Sequence, residues 1–130
     1  MSTRIESFRD LNVYKIAFQL QQDIFEKSKS FPAEERYSLT DQMRRSSRAI
    51  GANIAEAWQK RRYPAHFVSK LSDADGEQAE TLHWLQTAAV CRYFSLHESE
   101  IFMQSCHKIG AMLGKMMSFP EKFCQRFPDL

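Results

Sequence analysis

Between Phe67 and Ala89 the residues Phe67, Leu71, Ala74, Gln78, Leu82, Leu85 and Ala89 recur at steps of three and four, with no proline among them. That period places them on one face of an α-helix, and Pro64 is suited to the first helical position. The spacing predicts a helix over about 64–93, roughly 42 Å long at 1.5 Å per residue. Val13, Ala17, Leu20 and Ile24 predict an earlier helix over about 10–30. Phe31-Pro32 closes it, because the residue before a proline is pushed out of the helical region. Leu39, Met43, Ser46 or Ser47, Ile50, Ile54 and Ala57 predict a second helix over about 39–62, opened by a capping box at Ser38 to Asp41. Ile101 or Phe102, Ser105, Ile109, Met112 and Met116 predict a last one over about 96–117, opened by a second capping box at Ser95 to Glu98.

Only 4 Gly and 4 Pro occur in 130 residues, about half the usual share. Turn-formers are too few for a sandwich or barrel, which needs a turn every ten or so residues. Long helices joined by short breaks favour antiparallel neighbours. The expected fold is all-α, an up-down-up-down antiparallel four-helix bundle. A single domain is expected over 1–117, followed by an irregular tail over 118–130 that carries Phe119, Phe123 and Phe127.

Met1 to Asp10 is charged and lacks an apolar run, so it reads as neither a secretory signal nor a membrane anchor. Elsewhere no stretch approaches the ~18 apolar residues of a spanning helix. Cys91, Cys106 and Cys124 are odd in number and widely spaced, as expected of reduced thiols in a cytoplasm. Cys106-His107 has no second ligand pair to complete a zinc site. The methionines Met103, Met112, Met116 and Met117 read as core filler. No cofactor and no membrane association are expected.

The net charge of +2 conceals segregation along the chain. Residues 41–62 hold Arg44, Arg45, Arg48, Lys60, Arg61 and Arg62 against Asp41 and Glu56, a net of +4. Residues 63–100 hold Lys70 and Arg92 against six carboxylates, a net of −4. In a hairpin turning near Arg62 and Tyr63, Arg45 falls level with Glu80 and Arg48 with Glu77, so part of the basic cluster is expected to be neutralised by the next helix. Arg44, Lys60, Arg61 and Arg62 have no such partner in this register. Facing outward, they are candidate phosphate contacts, for which arginine offers a bidentate fork. A second apolar stripe on the first helix, Tyr14, Phe18 and Phe25, is either a widened core face or a subunit interface. Its one-sided aromatics favour the interface.

Catalytic signatures are missing from the sequence: no glycine-rich phosphate loop, nucleophile elbow or H-E-x-x-H pair is found. Glu80-x-x-His83 is a single copy of a motif that di-iron bundles use twice, and His66, His83, His97 and His107 are scattered over two helices. No enzymatic activity is expected.

The run Phe31-Pro32, Glu35, Tyr37, Leu39-Thr40, Gln42, Arg44-Arg45, Ile50 and Asn53-Ile54-Ala55-Glu56, with Phe8-x-x-Leu11 before it and Ala74-x-Gly76 and Glu80 after it, resembles the signature of the four-helix-bundle family named for the 23S rRNA intervening-sequence protein. That family is similar to the accessory variability protein of diversity-generating retroelements. The resemblance implies a small bacterial cytosolic bundle without known enzymatic chemistry, a pentameric ring, and nucleic-acid binding through a basic surface. The chain departs from the pattern in having Ala57 where the family tends to have glycine, and Glu77 after Gly76 where it tends to have serine. Asn53 and Glu56 occupy motif positions and are expected to be buried polar groups that fix helix register. The functional expectation is a homo-oligomer that binds RNA or DNA without catalysis. Its rival is an adaptor that docks a protein partner, such as a reverse transcriptase, through apolar stripes.

Overall fold

The computed structural model describes residues 4–124. Four α-helices account for most of them: α1 (Asn12–Ser28), α2 (Leu39–Gln59), α3 (Pro64–Val90) and α4 (Leu96–Ser118). Short 3-10 turns occur at Phe8–Asp10, Ala33–Glu35 and Pro120–Lys122, and no strand is found among the described residues. Each helix packs on the next, α4 closes against α1, and the α2–α3 pair has the largest interface. This is the expected all-α four-helix bundle. No helix among the described residues is long and apolar enough to cross a membrane.

The predicted faces of α1 and α2 are the buried ones. Val13, Ala17, Leu20 and Ile24 of α1 meet Leu39, Met43, Ile50, Ile54 and Ala57 of α2 in the core, and both Ser46 and Ser47 are buried with them. On α3 the stripe departs from expectation after Gln78, where Thr81 and Ala88 are buried in place of Leu82 and Ala89. Burying Thr81 is tolerable because its hydroxyl donates to Ser46 Oγ across the α2–α3 interface at 2.9 Å and lies 2.9 Å from the Glu77 carbonyl oxygen. On α4 the buried residues are Ser99, Cys106, Ile109, Leu113 and Met116. Ile101 is therefore exposed, and Ser105 and Met112 sit at the margin. The other methionines, Met103 and Met117 with Met112, pack partly buried against the core. At Gly110 α4 comes so close to α3 that a Cβ would lie 3.0 Å from Gln78 Oε1.

Helix ends fall short of the expected ones for identifiable reasons. A 3-10 turn capped reciprocally by Ser7 and Asp10 delays α1 until Asn12. Helix α3 stops at Val90, not near residue 93, because Arg92 adopts a left-handed conformation with φ 61°. The Tyr93 N–H then donates to the Ala88 carbonyl at 2.9 Å and the Arg92 N–H to that of Ala89 at 3.0 Å. These two bonds form a Schellman closure, with arginine where glycine is usual. Helix α2 ends at Gln59, three residues early, with the Lys60 N–H bonded to the Glu56 and Ala57 carbonyls.

Of the two predicted capping boxes, that at Ser95 and Glu98 is formed, with backbone-to-side-chain bonds of 3.1 and 3.0 Å. The one at Ser38 is not. Ser38 Oγ instead donates to Glu35 Oε1 at 2.6 Å, leaving α2 without a side-chain N-cap. The tail begins after Ser118 with the Pro120–Lys122 turn, and Phe123 stacks on Phe67 with ring centroids 6.2 Å apart. Phe127 lies outside the described residues.

Candidate nucleic-acid interface

Arg44, Arg45 and Arg48 project from the same stretch of α2 into different surroundings. Positions four apart on a helix share a face, whereas adjacent positions point about 100° apart. Arg45 turns to α3 and takes both expected carboxylates. Its Nη2 lies 3.3 Å from Glu77 Oε2 and also pairs with Glu80 Oε2. These two carboxylates raise the Arg45 pKa above its ordinary value, Glu80 contributing most. Glu80 also accepts from Trp84 Nε1 at 3.2 Å, which commits this motif residue to the α2–α3 surface.

The expected Arg48–Glu77 pairing does not occur. Arg48 sits on the other side of α2, facing α1, where its guanidinium lies 5.2 Å from the centroid of Phe25. Arg44 lies 4.7 Å from the same ring, and its Nε donates to Ser28 Oγ at 2.8 Å. Lys29 Nζ is a third cation on that ring, at 4.8 Å. Each contact of this kind contributes of order 0.5–1 kcal/mol at an exposed site. Lys29 pairs with Glu26 at 3.2 Å. Among the described residues no carboxylate lies within ion-pair distance of Arg44 or Arg48.

The basic residues at the other end of α2 are a separate group, about 25 Å away along the helix. Arg61 packs flat on Trp58, 3.5 Å from the ring centroid, and its Nε donates to the Trp58 carbonyl at 2.7 Å. Burial there pulls its pKa below the ordinary arginine value. Lys60 is exposed, and Arg62 lies 6.0 Å from the ring of the half-exposed Tyr63. The six predicted cations thus form an Arg44–Arg48 group, an Arg45 neutralised by α3, and a Lys60–Arg62 group whose middle member is anchored on tryptophan.

Sequence reasoning missed Lys29 and Arg36, which extend the first group beyond α2. The i,i+4 spacing of Phe25 and Lys29 was the available signal. Nothing local in the sequence showed that Arg44 and Arg48 straddle the same ring.

The aromatic stripe of α1 is also divided. Tyr14 stacks edge-on against Phe8 at 4.9 Å and fills the space over Gly51 of α2, where a Cβ would come within 3.4 Å of its ring. Phe25 lies under the three cations. Phe18, 45% exposed, is the member left open. The expectation that Asn53 and Glu56 are buried is corrected. Asn53 is half-buried and donates to the Ala49 carbonyl of its own helix at 2.9 Å, while Glu56 is exposed and pairs with Lys70 of α3 at 2.7 Å. Glu56 lies at an open surface shared with Phe8, Gln59, Lys60 and Lys70, not in the core.

Among the described residues no group of three or more His, Cys, Asp or Glu side chains is placed to hold a metal ion. His83, the partner of Glu80 in the lone motif, packs its ring against Trp84 at 4.8 Å.

No curated protein matches the chain. A crystal structure of a protein of unknown function from the S23 ribosomal protein family of Bacteroides thetaiotaomicron matches with a TM-score of 0.74 and 26% sequence identity, over 82% of this chain and 95% of that one. The family described as 23S rRNA-intervening sequence protein matches residues 9–115. With more than half of its length in that match and the bundle in common with the Bacteroides protein, the chain belongs to the 23S rRNA-intervening sequence protein family.

Proposed function

We propose that this protein is a non-enzymatic, homo-oligomeric bundle that binds RNA or DNA through the basic surface centred on α2. The observation that carries the reading is the Lys29, Arg44 and Arg48 group on Phe25, where two arginines lack a carboxylate partner among the described residues. Ring contact orients these guanidiniums but leaves their charge in place, so phosphate oxygens remain their strongest available acceptors. The Lys60–Arg62 group, just past the end of α2, supplies a second phosphate contact region.

Arg45 contributes little to this surface because Glu77 and Glu80 already neutralise it. Oligomerisation is supported by the exposed Phe18 beside the half-buried Tyr14, with ring centroids 6.0 Å apart. A pentameric ring is the form that the family resemblance implies.

The test is fluorescence anisotropy with a structured RNA at about 50 mM salt, where phosphate contacts are strongest. The R44A/R48A double variant should lose about tenfold or more in affinity. Equal affinity of this variant and the wild type contradicts the reading. In light scattering, Phe18→Asp should lower the particle mass if this face joins subunits. The adaptor reading instead predicts partner capture that depends on Phe18 and is indifferent to salt.

A further inference from the structure

Between the end of α1, the Ala33–Glu35 turn and the start of α2 lies an open cavity whose polar lining is Ser28, Lys29, Arg36, Tyr37, Thr40 and Arg44. Phe31 and Pro32 form part of its apolar wall. Three features distinguish it from an ordinary basic groove. First, three cations from three different elements converge on it, Lys29 from the last turn of α1 and its C-cap, Arg36 from the turn, and Arg44 from α2. Second, α2 opens onto it without a side-chain N-cap, because Ser38 is held by Glu35. The positive end of the helix dipole adds to the field, partly offset by the Glu35 carboxylate, which takes the Leu39 N–H.

The third feature is Thr40, in that first turn. It is 7% exposed, and its Oγ1 is buried without a hydrogen-bond partner. An unsatisfied buried hydroxyl costs stability unless something fills its bonding capacity. Here it lines a cavity surrounded by positive charge, where an anionic oxygen would accept its proton.

Two carboxylates offset part of this field. Glu35 accepts from Ser38 Oγ at 2.6 Å, from Tyr93 Oη at 2.9 Å and from the Leu39 N–H at the start of α2, and Glu26 pairs with Lys29 Nζ at 3.2 Å. Arg36 and Arg44 have no carboxylate within ion-pair distance among the described residues. At the rim stands Tyr37, 85% exposed, with the Arg36 guanidinium 5.8 Å from its ring centroid. A large aromatic ring left in water beside an anion pocket is a stacking platform for a nucleobase.

We propose that this cavity holds one phosphate of a single-stranded nucleic acid, with Thr40 Oγ1 and Arg44 bonding the phosphate oxygens, Lys29 and Arg36 supplying charge, and Tyr37 stacking on the adjacent unpaired base. This rests on the nucleic-acid reading above and specifies the strand type and the residues that select it. A duplex keeps its bases stacked internally and gains nothing from Tyr37.

The experiment measures anisotropy of a short labelled oligouridine RNA, the same sequence as DNA, and a duplex, against wild type, Thr40→Val and Tyr37→Ala. Valine keeps the β-branched shape and removes an unsatisfied hydroxyl, so the variant should unfold at the same or a higher temperature. A folding defect is thereby separable from a binding defect. Each substitution should weaken single-strand binding about tenfold, in line with the loss of a charge-assisted hydrogen bond or of one stacked base. Duplex binding should be insensitive to Tyr37→Ala. Wild-type binding that neither substitution weakens by more than twofold overturns the pocket and leaves the broader basic-surface reading standing. Absence of any oligonucleotide binding overturns both. Binding of inorganic phosphate with no oligonucleotide binding identifies an adventitious ion only and likewise overturns the proposal.

Discussion

The guanidinium of Arg44 lies 4.7 Å from the centroid of Phe25, while that of Arg45, the next residue, pairs with Glu77 and Glu80 on the opposite side of α2. Adjacent helix positions point about 100° apart, and here that rotation separates an arginine that keeps its charge for a ligand from one that does not. Arg45→Ala should therefore change RNA affinity by less than twofold, whereas Arg44→Ala should lower it several-fold. The Arg45 ion pairs are surface contacts, and their loss should change stability by no more than about 1 kcal/mol. Anisotropy and urea unfolding on the two single variants check both statements. Equal losses of affinity would show that Arg45 is released from its carboxylates on binding.

The Thr81–Ser46 hydrogen bond is the polar tie inside the α2–α3 interface, with both residues fully buried. Thr81→Val keeps the shape but strands the Ser46 hydroxyl near only the Met43 carbonyl, 3.4 Å away. A loss of about 1–3 kcal/mol is expected. Thr81→Val combined with Ser46→Ala should recover part of it, because no buried hydroxyl then lacks a partner. Urea unfolding of the single and double variants measures the coupling.

Arg92, with φ 61°, occupies a conformation that favours glycine. The left-handed region costs an ordinary residue about 1–2 kcal/mol, partly offset by the greater chain entropy that glycine loses on folding. Arg92→Gly should leave stability unchanged or raise it by up to about 1 kcal/mol. A clear loss in thermal unfolding would mean that the arginine side chain makes a stabilising contact of its own.

Two ionisable groups tie α4 and the α3–α4 turn to the rest of the bundle. Lys27, followed by the Ser95 N–H, pulls the Glu98 carboxyl down to about 2. A depressed acid contributes stability that is present above its unfolded pKa near 4.3 and is lost as pH falls toward 2. The Glu35 carboxylate pushes the Tyr93 phenol up to about 12. A raised phenol contributes stability that is present below its unfolded value near 10 and disappears as pH rises through 12. Glu98→Gln should flatten the acid limb of a stability profile, and Tyr93→Phe the alkaline limb. In a spectrophotometric titration of the native protein, Tyr93 should ionise after its model-peptide value. Normal ionisation of every tyrosine would contradict the Tyr93–Glu35 bond.

The architecture was legible in the sequence because the faces of α1 and α2 keep a regular three-and-four spacing of Val, Leu, Ile, Met and Ala. It was less legible on α3 and α4. There the buried positions include Thr81, Ser99 and Cys106, which an apolar stripe does not mark; Thr81 is accommodated by its hydrogen bond to Ser46 across helices. The α3 terminus was misplaced because its closure uses Arg92 in place of a glycine. The failed Ser38 box depended on Glu35, three residues upstream, which captures the serine hydroxyl. For the site, level-matching along an antiparallel hairpin found Glu80 as a partner of Arg45 but gave Glu77 to Arg48. It could not say that one arginine would take both carboxylates, since that depends on the rotation of α2 about its axis. The cavity at Thr40 draws on three elements and has no sequence signature of its own.

The most direct measurement is the affinity of wild-type protein for a single-stranded RNA as salt is raised from about 50 to 200 mM. Counterion release predicts a linear fall of log affinity with log salt, at a slope of about −0.7 per phosphate contacted. With the three or four cations of the Arg44 group engaged, the slope should lie near −2 to −3, and R44A/R48A should make it shallower by about 1.4. Absence of binding at about 50 mM salt, or an affinity that does not change with salt, would contradict the assignment of this bundle to nucleic acid.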